Sequence, residues 1–146
     1  MERPKSIVAF ERAFWGSVAV GLLGGIFGWN DILETYQREP SMAAMGFGSG
    51  FLIVVWCISL SFQLLFWYLI ARKGSNVTRW IYVVLMGFGI ISAVAAIGNP
   101  SMPGGISQIT SLASTALTVV AIFFLFRPDA KDWFANKRHV DPTTFS

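Results

Sequence analysis

The side chains of this chain that could do chemistry are few and scattered. Asp31, Glu34 and Arg38 share one helical face, and Glu34 and Arg38 can pair one turn apart. They could bind a cation or a basic partner, or simply solvate a helix end. Gln63 is the most polar side chain well inside an apolar run. It could hydrogen-bond a serine or threonine on another span, for roughly 0.6–2 kcal/mol, as packing glue or as part of a transport site. Ser107, Ser111, Ser114 and Thr118 fall on one face, with Gln108 and Thr115 beside them. That stripe could line water, or it could pack, because a serine hydroxyl can bond the backbone carbonyl one turn back.

Other chemistry is not expected. Cys57 is the only cysteine, so neither an internal disulfide nor the thiol pairs of a redox relay can form. This excludes four-helix thiol oxidases and suggests a small buried hydrophobe. His139 is the only histidine and lies far from Cys57, which leaves too few ligands for a transition metal. Phosphate-loop, zinc-protease and serine-hydrolase motifs are missing. Small four-span drug exporters depend on a carboxylate within the membrane, and the first apolar segment here offers only Ser17 and glycines. The chain reads as a non-enzyme without cofactor or metal.

The elements that must position these residues are written in the hydropathy. Of 146 residues, 54% are hydrophobic and 13% charged, against about 25% charged in an average soluble domain. Ala13 to Trp29 carries no charge, and neither does Ala44 to Ala71 or the long stretch from Trp80 to Phe126. The last is divided by GNPSMPGG at 98–105, whose prolines and glycines mark a hairpin turn. Each piece exceeds the length of about 18 residues that a spanning helix needs. The reading is an all-α, integral membrane four-helix bundle occupying 1–138, with spans near 13–36, 44–71, 79–98 and 105–127 and a flexible tail at 139–146. The first span is read as uncleaved, since no small-residue cleavage site follows it. Thr78 is the expected cap of the third helix. Pro128 can open a new helix whose Ala130, Trp133, Phe134 and Lys137 share a face, giving a short interfacial C-terminal helix.

Basic residues are placed unevenly. Arg3, Lys5 and Arg12, then Arg72, Lys73 and Arg79, then Arg127, Lys131, Lys137 and Arg138 share one side of a four-span topology; Arg38 alone lies opposite. The positive-inside rule makes the ten-residue side cytoplasmic, so both termini are expected there. The same placement argues against nucleic acid as a partner, because the net charge of +3 flanks apolar segments instead of forming one patch. Trp15, Trp67, Tyr68, Trp80 and Tyr82 fall near the expected cytoplasmic interface, Trp29 and Tyr36 near the outer one. Trp56 sits mid-span.

Spans associate in lipid through close packing and hydrogen bonds. Ser17, Gly21, Gly24 and Gly28 form a small-residue stripe on the first span; Gly89, Ala93 and Ala96 offer another on the third. These faces fit internal contact within one bundle, or a homo-oligomer or a membrane partner.

The segments WYLIARKGSNVTRWIYVVL and IFFLFRPDAKDWF resemble a recurring type of small bacterial inner-membrane protein. That type has four spans, a short basic turn joining the second and third, and an Arg-Pro pair followed by Trp-Phe after the fourth. The resemblance covers roughly residues 50–134 and is carried by Arg72, Arg79, Trp80, Arg127, Pro128, Trp133 and Phe134. It implies an inner-membrane location and no mechanism. The expected role is therefore contact with other proteins, as an accessory, regulatory or immunity-type factor. The alternative is a small oligomeric channel or transporter for a neutral solute.

Overall fold

The computed structural model describes residues 3–38, 40–46, 48–99 and 105–136. Four helices in it are long and apolar enough to cross a membrane: α1 (Lys5–Phe27), α4 (Ser49–Trp67) with its extension to Arg72, α5 (Asn76–Ala95) and α6 (Gly105–Leu125). Two short helices, α2 (Trp29–Arg38) and α3 (Pro40–Ala44), join the first two spans, and α7 (Pro128–Asn136) follows the last. This is an all-α membrane bundle. The expected tail at 139–146, Lys137 and much of the 98–105 turn lie outside the described residues.

Helix boundaries follow local chemistry. α1 starts at Lys5, earlier than the uncharged run suggests, because Pro4 takes an extended conformation and its carbonyl accepts from the Ile7 and Val8 amides. Charged Glu11 and Arg12 are thereby helical. At the other end the Gly28 amide closes the helix on Gly24 O at 2.8 Å. α2 then begins at once, with Asp31 in its first turn and Arg38 in its last, the arrangement that suits a helix dipole. α4 widens into a π-helical turn, Tyr68–Arg72, in which the Lys73 amide reaches Tyr68 O at 3.2 Å. Gly74, at φ +59°, reverses the chain. Here the cap differs from expectation. Ser75, not Thr78, caps α5: its Oγ accepts from the Thr78 amide at 3.2 Å, placing Thr78 inside the first turn.

Packing is graded along the bundle. Around the N-terminal end, Ile7, Phe10, Phe14, Val18, Ile70, Ala71, Tyr82, Ala121, Leu125, Ala130, Trp133 and Phe134 form one buried cluster. Phe10, Phe14 and Phe66 all set their rings 5.8–6.3 Å from Tyr82. α1 is the central helix: 33% of its most apolar window is buried, against 6% for the second span. α6 lies along it and α4 stands off. Cys57 is exposed accordingly, contrary to the buried site expected, because α4 packs little of its surface against the other helices. On the apolar face of α7, Ala130, Trp133 and Phe134 are buried in the cluster.

Candidate functional site

The glycine stripe of α1 and the hydroxyl stripe of α6 meet each other. Ser17 Oγ donates to the Phe14 carbonyl at 2.8 Å, and Ser114 Oγ donates to the Ser17 carbonyl at 2.9 Å. One turn on, a Cβ at Gly21 would be 3.5 Å from Ser114 Oγ, and one at Gly24 would overlap the Thr110 side chain. At the far end a Cβ at Gly28 would come within 2.6 Å of Ser107 Cβ. The missing side chains of α1 therefore admit the hydroxyl-bearing side chains of α6, the close approach that drives association where water does not. Most remaining hydroxyls bond their own helix: Thr110 to Ile106 O, Thr115 to Ser111 O and Thr118 to Ser114 O, at 2.8–3.0 Å.

Not every member of the stripe is consumed. Ser107 is buried, Ser114 and Thr118 are half-buried, and Ser111 is exposed. Because α4 stands away from α1 and α6, a crevice of about 240 Å³ opens between them, lined by Ser17, Gly21, Trp56, Ser59, Gln63 and Ser114 among others. A second opening of about 240 Å³ continues past Trp56 to Thr110, Ser111 and Thr115. Trp56, ambiguous in sequence, lies against Gly25 with its ring 5.8 Å from that of Trp29. Gln63 does not make the expected bond to α6. It shares a crevice with Ser114, but the Ser114 hydroxyl is already given to Ser17 O. The crevice offers hydroxyls and one carboxamide and no charge, so it suits a neutral polar guest or ordered water.

Along α2, Glu34 and Arg38 pair at 2.5 Å as their spacing suggests, with side chains 63% and 74% exposed. A pair that exposed contributes only about 0.2–1 kcal/mol. Asp31 is turned elsewhere, its Oδ2 lying 3.6 Å from where a Cβ of Gly105 would be. Its carboxylate thus faces the start of α6, the positive end of that dipole. The three residues form no single binding group. On α5, a Cβ at Gly89 would meet nothing within 4 Å among the described residues, whereas Ala93 and Ala96 border an opening of about 220 Å³ toward Ser107 and Ser111.

The structure also brings together residues that periodicity did not single out. Glu11 accepts from Arg3 at 2.7 Å and from Trp67 Nε1 at 3.2 Å, with Arg72 Nε 4.0 Å away. Asp129, from α7, accepts from the Ser6 amide at 3.1 Å. It serves one of the orphan donors of α1 and sits in the first turn of its own helix. The Ser6 hydroxyl beside it, and then that amide, hold its carboxyl below the usual carboxylate value. A mixed-charge N-terminus, MERPKSIVAFER, and the Pro-Asp opening of α7 were the only signals in sequence; neither names its partner.

Comparison with protein-family models, curated proteins and solved structures finds no match.

Proposed function

We propose that this chain is a non-enzymatic multi-pass protein of the bacterial inner membrane, with both termini cytoplasmic, that acts through lateral contact with another membrane protein. The observation that carries this reading is where the small residues go. Ser107, Thr110 and Ser114 of α6 pack against α1, while among the described residues nothing lies within 4 Å of where a Cβ of Gly87 or Gly89 on α5 would be, beside Phe88 and Ile91 at 68% and 67% exposed. Bare glycines on an apolar helix allow another helix to approach closely. The basic residues support the orientation, ten on the side of the termini against Arg38 opposite. An accessory, regulatory or immunity-type role fits a chain rich in contact surfaces and poor in reactive groups.

A photo-crosslinking residue at Phe88 or Ile91 tests this in native membranes. The expected result is one crosslinked partner from α5 at near-stoichiometric yield, co-purifying in mild detergent. Failure to crosslink at both positions, with the protein alone after purification, overturns the reading.

The crevice bounded by Ser17, Ser59, Gln63 and Ser114 favours a second reading, an oligomeric channel or transporter for a neutral polar solute. Flux of such a solute into proteoliposomes, abolished by Gln63→Leu, is its test.

A further inference from the structure

Where α5 begins and α7 crosses it, the bundle leaves a cavity of about 200 Å³ lined by Asn76, Arg79, Lys131, Phe134 and Ala135. Arg79 is the unusual member. Only 7% of it is exposed, and its Nε has no hydrogen-bond partner among the described residues. Its guanidinium carbon lies 4.8 Å from the Phe134 ring centroid, 5.4 Å from that of Phe126 and 5.7 Å from that of Trp80. The ion pairs found among the described residues engage Glu11 and Glu34 instead. Aromatic faces attract a cation, but they do not supply the hydrogen-bond acceptors that a buried charge requires. Lys131, exposed on α7, adds a second positive charge to the same cavity, and the start of α5 adds the positive end of its dipole. Asn76 Oδ1 is a second buried atom without a partner among the described residues, and it is an acceptor.

One ligand answers all of these. A phosphodiester presents anionic oxygens that match a guanidinium and an ammonium, and a hydroxylated alcohol on the same phosphate can donate to Asn76 Oδ1. The cavity opens at the end of a helix long and apolar enough to cross a membrane, with Trp80 51% exposed beside it, and tryptophan favours the headgroup level of a bilayer. Basic pockets between spans at that level hold anionic headgroups. We infer that the Asn76–Arg79–Lys131 cavity binds the headgroup of an anionic glycerophospholipid of the phosphatidylglycerol class. The inference is independent of the role proposed above and of which leaflet the site faces.

The test uses the full chain, delipidated in mild detergent, titrated with phosphatidylglycerol or phosphatidylethanolamine of identical acyl chains, and read by native mass spectrometry and thermal unfolding. One phosphatidylglycerol should be retained at least tenfold more tightly than the zwitterionic lipid, and Arg79→Gln or Lys131→Gln should remove most of that preference. Lys131 is at the surface, so its variant remains informative if Arg79→Gln does not fold. Equal retention of the two lipids, or an unchanged preference in Lys131→Gln, overturns the proposal. Inorganic phosphate that protects against unfolding as well as the lipid does, and displaces it, assigns the cavity to a free anion and overturns the lipid.

Discussion

Gly24 and Gly89 are both glycines in apolar helices, yet their surroundings are opposite. A Cβ at Gly24 overlaps Thr110, and a Cβ at Gly89 meets nothing within 4 Å among the described residues. Gly24→Ala should therefore destabilise by about 1–3 kcal/mol through overpacking. Gly89→Ala should be neutral, or stabilising by up to about 1 kcal/mol, through helix propensity. Thermal unfolding in one detergent compares the two, and equal effects would contradict the α1–α6 contact. Asp129 makes a pH-dependent contribution. Its folded-state value is depressed by Ser6, so its stabilisation is fully present above the unfolded value of about 3.9 and is lost as pH falls through the lower folded value. Asp129→Asn should lower the melting temperature at pH 7, and the gap to the parent protein should close in strong acid. A gap that persists there would mean that the Ser6 contact is not the cause.

At the scale of elements, α1 and α6 form the tight pair and α4 the loose one, because α1 offers glycines to α6 and α4 reaches α1 mainly through large side chains. Cysteine substitution reads this directly in a Cys57→Ser background. Ser107→Cys and Ser114→Cys should react slowly with a small soluble maleimide, and Ser111→Cys should react several-fold faster, because it is exposed and borders two openings of the bundle. Uniform fast labelling along the stripe would instead mean that α6 lines water. α7 owes its place to a similar division of labour. Trp133 and Phe134 bury into the core, and Asp129 ties the helix to the start of α1.

For the whole molecule, the distribution of charge across the bilayer is the property with the largest consequence. A reporter active only in the cytoplasm should work when fused after Ser146 and within the 73–75 turn, and should be silent at the 98–105 turn. The reverse pattern would invert the topology and transfer the Arg79 cavity to the other leaflet. The packing gradient is a second molecular property. Aromatic and aliphatic side chains close the N-terminal end, while the opposite half is held by glycine and serine and retains its crevices. Motion between α4 and the α1–α6 pair should concentrate in that half, visible as faster hydrogen exchange at Ser49–Trp56 than at Ile81–Leu85.

Four spans, their breaks at Gly-, Pro- and Asn-rich turns and the opening of α7 at Pro128 were legible in the chain, because hydropathy over a span length and the backbone limits of proline and glycine act locally. The Glu34–Arg38 pair was legible for the same reason, as both partners lie one turn apart. What a face packs against is not local. Nothing in the spacing of Ser114 says that it donates to Ser17 rather than to Gln63, nor that Ser75 precedes Thr78 as the cap. The contacts of Asp129 with Ser6 and of Arg79 with Phe134 join residues remote in sequence, and only the approach of α7 to α1 and α5 brought them together. In lipid the hydrophobic effect does not choose the inner face of a helix, so fit between particular side chains decided it.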